Sequence, residues 1–261
     1  MPATLLDDYA LNSPLRNKNN QLKLGLVAAA LLVGVSSTSP VAPLFIALSM
    51  SLATIRFGKI PARFYGELIL APLSFALFGA AIILLFFGSG PDIFSFNLLG
   101  HQIGASAAGA ELSLLVVSRT LSGMCCLFFL ALTTPMVEIF AVLKGFRVPD
   151  SFVELSMMIY RYIFVFLEVA VRMRHAQAMR LGYDGFKSSI NSLSILAGSL
   201  FLRTWEQGEK LYIAMDARCY DGKLSLFEEN RPIKIQELLA ASGYVTIIAA
   251  LAYLSRGTCL F

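Results

Sequence analysis

Charge is scarce in this chain. Only 15% of its 261 residues are Asp, Glu, Lys or Arg, whereas 57% are apolar and the mean hydropathy is +0.70. A soluble domain carries about a quarter charged residues and just under half apolar ones. There is too little charge here to cover a globule and too much apolar surface to hide inside one. That excludes a soluble enzyme, a disordered tail and a secreted disulfide scaffold, and it indicates an integral membrane protein of several spans. The net charge of +4 is too small to suggest a nucleic-acid partner. Histidine is limited to His101 and His175, and Cys125, Cys126, Cys219 and Cys259 form no CxxC pair. Neither a disulfide framework nor a dense metal site is indicated. No GxxxxGK[ST] loop is present to cradle phosphates, so nucleotide hydrolysis would have to come from a partner. No paired Asp motif suggests a membrane prenyltransferase.

The apolar runs are plentiful, at about 24–39, 41–55, 65–87, 109–134 and 238–255. About 20 helical residues make one crossing of a ~30 Å hydrocarbon layer. The last three runs approach or meet that length. The first two are short and meet at Ser36-Ser37-Thr38-Ser39-Pro40, with Pro43 just beyond. They read as a tight helical hairpin or as one long kinked helix. A secretory signal is not expected, because a largely polar stretch of 23 residues containing Asp7 and Asp8 precedes the first run. Arg16, Lys18 and Lys23 lead into it, and Arg56, Lys59 and Arg63 fill the second connection. The 88–108 connection has Asp92 and His101 but no Lys or Arg. The positive-inside rule therefore expects the N-terminus, the 56–63 turn and residues 135–237 in the cytoplasm, with 88–108 and Phe261 outside. The expected organisation is an all-α membrane protein of about five transmembrane helices. Residues 1–23 form a cytoplasmic segment, 24–134 the first four spans, 135–237 a cytoplasmic helical insert, and 238–261 the final span and C-terminus.

The insert concentrates the charge, with 13 Lys and Arg against 11 Asp and Glu between Lys144 and Glu237. It also stays rich in Leu, Ile, Phe and Met. Pro149 can open a helix that Asp150 or Ser151 caps, with Glu154 in its first turn and Gly182 as its stop. A second helical pattern runs from about 188 to 218 and ends near Tyr220-Asp221-Gly222. Both patterns are amphipathic, suited to bracing against each other or lying at a membrane surface. Their ends resemble each other: Ala176-Gln-Ala-Met-Arg180 and Ala214-Met-Asp-Ala-Arg218, each followed within a few residues by Tyr-Asp-Gly. An Ala one turn before each Arg leaves a notch on the same face. The arginine fork there can reach carboxylates or free carbonyls on a partner. Arginine also favours the last turn of any helix, but two copies 38 residues apart weigh against coincidence.

These residues resemble the transmembrane T component of energy-coupling-factor transporters, in the cobalt/nickel branch of CbiQ or NikQ type. The likeness extends over nearly the whole chain. It includes Asp8-Tyr9-Ala10 through Arg16, Leu132-Thr133-Thr134-Pro135, Arg147-Val148-Pro149, Tyr160-Arg161-Tyr162 and the two arginine motifs. The resemblance implies that Ala178, Met179, Arg180 and Ala217, Arg218, Cys219 dock on a dimer of ABC-type ATPases at the cytoplasmic face. A separate small membrane protein would bind the cobalt or nickel. This chain would transmit ATPase closure, with ATP and Mg in the partner, no cofactor of its own and no enzymatic activity. It departs from the family pattern at Leu181 and Cys219, where glycine is usual.

Arg119 falls inside the fourth apolar run, where a lone charge costs ~3 kcal/mol. Glu111 and Glu67 are its candidate partners in a structural pair. Arg161 and Glu168, seven apart on one helix face, read as ordering the insert. His175 reads as a solvated residue, Cys125-Cys126 as packing, and metal binding by His101 with Asp92 is not expected. The leading expectation is thus the coupling subunit of an ATP-driven cobalt or nickel importer. The alternative is a membrane scaffold anchoring a cytoplasmic partner without transport. A membrane-embedded enzyme would have only Glu67, Glu111, Arg119 and Glu138 to work with.

Overall fold

Asn19 starts the first long helix, its side chain accepting the amide protons of Gln21 and Leu22. In the computed structural model, which describes residues 9–86, 92–98, 101–145, 148–221 and 234–255, that helix, α1, runs Asn20–Ser36. The Ser-Thr-Ser-Pro sequence breaks it, and α2 follows at Val41–Arg56 with Pro43 tolerated in its first turn. The first two apolar runs are therefore two helices joined by a turn. Next come α3 (Ala62–Phe86), β1 (Asp92–Leu98), β2 (His101–Ser106) and α4 (Ala107–Thr133). Then follow α5 (Met136–Gly145), α6 (Asp150–Met179), α7 (Phe186–Asp216) and α8 (Ile235–Leu254). The helical expectation holds, with one addition. The connection after α3 contains an antiparallel β-hairpin that pairs Phe96 with Ile103 and Leu98 with His101.

Among the described residues, three helices are long and apolar enough to cross a membrane: Ala62–Leu84, Gly109–Thr133 and Ile235–Leu254. α1 and α2 are apolar but have 17 and 16 residues, so each is about 25 Å long. Phe75 and Phe78 on α3 and Leu239 and Leu254 on α8 are exposed, as side chains facing lipid would be.

The chain forms two units, Met1–Ile139 with Asn230–Phe261, and Phe140–Glu229. In the first, Val27, Ala30, Ile46, Met50, Cys125, Cys126, Phe129 and Ile248 from α1, α2, α4 and α8 make one core. The Ser49 and Tyr244 hydroxyls hydrogen-bond across 2.6 Å, as do those of Ser51 and Tyr65 across 3.1 Å.

The pairing of α1 with α4 is specific. Buried positions on α1 fall at Lys23, Val27, Ala30 and Gly34, a three-four spacing that draws one stripe along the helix. α4 presents a matching stripe running the opposite way. At one end, Arg119 Nε and Nη2 donate to the Ser37 carbonyl at 3.1 and 2.5 Å. One turn in from there, Gly34 lies so near Ser122 that an added Cβ would come within 2.7 Å of its hydroxyl. At the other end, Lys23 Nζ donates to the Thr133 carbonyl at 3.4 Å and the Thr134 hydroxyl at 3.3 Å. Each helix thus supplies a cation to the negative C-terminal end of the other.

This corrects the expected ion pair. Among the described residues Arg119 has neither Glu111 nor Glu67 as a partner, because the end of α1 offers free carbonyls within reach. Glu67 instead faces Arg63 at 3.5 Å on the exposed side of α3.

In the second unit, Val142 of α5 is buried and Phe140 meets the ring edge of Tyr160 on α6. Glu168 pairs with Arg172 at 3.5 Å, one turn away, and not with Arg161. Both α6 and α7 carry charge along their length, and neither qualifies as a span.

Candidate functional site

The site is built on α6 and α7, which the connection 180–185 joins. Gln177 anchors that connection: its Nε2 donates to the Ser192 carbonyl at 2.9 Å and its Oε1 accepts from the Tyr183 hydroxyl at 2.8 Å. The Gly182 carbonyl accepts from both Ser188 and Ser192, at 2.9 and 2.7 Å. Glycine is needed there, since a Cβ would lie 2.7 Å from the Ser192 hydroxyl and 2.9 Å from the Gln177 carbonyl. Farther along, an apolar cleft of about 560 Å³ lies between the helices, lined by Leu155, Ile159, Tyr162, Phe166, Leu200 and Leu211. Beyond the far end of α7, the Tyr220 hydroxyl donates to Glu154 Oε2 at 2.8 Å, back in the opening turns of α6. Bonding to that carboxylate, followed by desolvation, raises the Tyr220 pKa.

Arg180 and Arg218 occupy equivalent places in two equivalent turns. After α6, Leu181 N–H donates to the Ala178 carbonyl and Gly182 N–H to that of Gln177, at 3.0 and 2.9 Å. After α7, Cys219 N–H donates to Asp216 and Tyr220 N–H to Met215, at 2.9 and 3.1 Å. Both are paired six-to-one and five-to-two closures of a helix C-terminus around a left-handed residue. That residue is Leu181, with φ +57°, in the first turn and Cys219, with φ +58°, in the second. The helix stops therefore lie at Leu181 and Cys219, ahead of Gly182 and the Tyr-Asp-Gly sequences, and Gly222 lies outside the described residues. Left-handed backbone is where glycine is favoured, and both positions hold other residues.

All six motif residues, Ala178, Met179, Arg180, Ala217, Arg218 and Cys219, are exposed. Among the described residues neither guanidinium is in a salt bridge or hydrogen bond. Exposed apolar side chains lie close to each in sequence: Met179, Leu181 and Phe186 near Arg180, and Tyr212 and Ile213 near Arg218. A cation ringed by apolar surface is how an arginine contributes most to a protein interface. The two motifs are not brought together. α7, with 31 residues and so about 46 Å long, lies between them.

No group of three or more His, Cys, Asp or Glu able to hold a metal occurs among the described residues. His175 is exposed, and the His101 and Asp92 side chains lie outside the described residues. Sequence reasoning singled out the arginines through their repetition. It missed the Tyr220–Glu154 bond, whose signal was a tyrosine just past one helix and an acidic residue in the first turns of another.

A family model described as cobalt transport protein, CbiQ, matches residues 11–228. The chain is 44% identical over 248 residues to a putative fused cobalt transport protein CbiMQ of Methanocorpusculum labreanum, covering 95% of this chain and 41% of that relative. It thus spans less than half the length of the fused protein. An uncharacterized protein of Methanocaldococcus jannaschii is 38% identical over 98% of this chain and 95% of its own length. A cobalt transport protein CbiQ of Rhodobacter capsulatus is 29% identical over 85% of this chain and 84% of its own.

Proposed function

Because this chain belongs to the CbiQ family of cobalt transport proteins, we propose that it is the coupling subunit of an ATP-driven cobalt or nickel importer. The observation that carries this reading is the duplicated turn: two exposed arginines in the same backbone geometry, one closing α6 and one closing α7. Such a pair suits two equivalent grooves on a dimeric ATPase, each offering carbonyls or carboxylates to a guanidinium fork. Closure of the dimer on ATP would change the distance between the grooves. Helices of 30 and 31 residues would carry that change as a displacement, because packed elements move as bodies. ATP and Mg belong to the ATPase. The metal belongs to a separate small membrane protein, and the fused relative supports joint work with another cobalt transport component.

The basic residues Lys18, Lys23, Arg56, Lys59 and Arg63 support an N-terminus and 56–63 turn on the cytoplasmic side. Five crossings, with residues 135–237 as the cytoplasmic insert, follow from that orientation.

Two experiments test the reading. A mild-detergent pull-down from native membranes should recover an ABC-type ATPase and a small membrane protein in near-equal amounts. In the same membranes, Arg180→Glu with Arg218→Glu should insert normally but lose ATPase binding by about 100-fold or more. Full metal uptake by the double reversal would remove the assignment of these sites. Binding without nucleotide-dependent motion would support the scaffold alternative instead.

A further inference from the structure

The two docking turns are held in different ways. The one bearing Arg180 leads directly into the next helix, and two hydroxyls bond the carbonyl of Gly182 there. The equivalent position after α7 is Tyr220, whose amide closes the turn and whose side chain leaves it. Residues 216–221 are all exposed, yet the Tyr220 hydroxyl ends on Glu154, which is 5% exposed. Glu154 lies four residues into α6, the helix whose opposite end presents Arg180. From its beginning the chain leads back through α5 toward α4.

We propose that Tyr220 and Glu154 are a positioning pair for the second docking arginine, their hydroxyl–carboxylate bond tying the turn that presents Arg218 to the base of α6. The inference rests on the docking reading of Arg218. Two consequences follow from the geometry. Arg218 keeps a fixed place relative to α6 even though residues 216–221 are solvent-exposed. Force received at Arg218 also reaches the base of α6 by a short route, instead of travelling back along about 46 Å of α7 and through the 180–185 connection. A hydrogen bond to a charged acceptor is among the stronger neutral-donor contacts available for such a task.

The test uses the assembled transporter in lipid vesicles, reading ATP hydrolysis and radioactive cobalt uptake together. Tyr220→Phe and Glu154→Leu should keep assembly and hydrolysis but lower cobalt moved per ATP by about five-fold or more. Glu154→Gln should retain most coupling, because its amide carbonyl still accepts from the tyrosine. Arg218→Glu serves as the control for docking. If Arg218→Glu loses ATPase binding while Tyr220→Phe couples as well as the parent, the positioning pair is wrong and the docking reading stands. If Arg218→Glu binds the ATPase normally, the docking reading fails and the inference with it. Should Tyr220→Phe assemble poorly, amide hydrogen exchange on the full chain in lipid nanodiscs decides. Segment 215–221 should exchange about ten-fold faster in Tyr220→Phe and Glu154→Leu but not in Glu154→Gln. Unchanged exchange in that segment would overturn the proposal.

Discussion

Leu181 and Cys219 hold backbone angles that cost a side-chain-bearing residue roughly 1–2 kcal/mol, since Cβ crowds the following carbonyl. Glycine relieves that crowding but adds freedom to the unfolded chain worth about 0.5–1 kcal/mol. Leu181→Gly and Cys219→Gly should therefore each stabilise the insert by up to about 1 kcal/mol, read from the melting of the insert by circular dichroism. A loss of stability would mean that the exposed Leu181 side chain contributes packing the structure does not show. Tyr220 gives a pH dependence with a definite sign. Its folded pKa lies above the ordinary tyrosine value near 10. Its contribution is complete below that value and disappears as pH rises through the raised one. In an ultraviolet titration Glu154→Leu should move the ionisation of one tyrosine to lower pH. Arg180 and Arg218 were legible in the sequence because their surroundings repeat. The strain beside them was not, since Leu and Cys carry no mark of a positive φ.

Helices were legible where apolar runs were long, but their ends were not. The run 65–87 became Ala62–Phe86, 109–134 became Ala107–Thr133, and 238–255 became Ile235–Leu254. Each helix begins two or three residues before its apolar run; at Arg63 and at Gln236-Glu237 the opening turn holds polar residues that the run excluded. The partner of Arg119 was invisible for a related reason. A free carbonyl at a helix terminus exists only once the helix ends, whereas Glu111 and Glu67 are visible as letters. Lys23 marked the cytoplasmic side in the sequence, and in the structure it also caps α4. These two caps make a quantitative prediction. Arg119→Met and Lys23→Met should each cost about 1.5–3 kcal/mol, as expected for hydrogen bonds to a charged group. The sites lie about 21 Å apart along α1, far enough for independent effects to add. If the caps jointly fix the register of two helices, the double variant should cost less than the sum by at least about 0.5 kcal/mol. Additivity in a denaturation cycle would make them two unrelated caps.

The scarcity of charge placed the protein in a membrane, and the family match from residue 11 to 228 agrees with the family that the motifs resemble. The β-hairpin at 92–106 and the short helix α5 were not anticipated. Both lie in connections where neither run length nor periodicity gives a signal. The reciprocal capping of α1 and α4 has a consequence for how the protein is made. Lys23 is buried at one end of α1, and its acceptors Thr133 and Thr134 leave the ribosome 110 residues later. The end of α1 likewise waits for Arg119. Being short and carrying Lys23, α1 is a poor membrane segment when newly synthesised and a satisfied one only after α4 arrives. Chains arrested before residue 107 should leave a cysteine placed at Ser37 open to water-soluble reagents, and chains arrested well beyond residue 134 should protect it. A helix synthesised well before α4 would then settle only once α4 is in place.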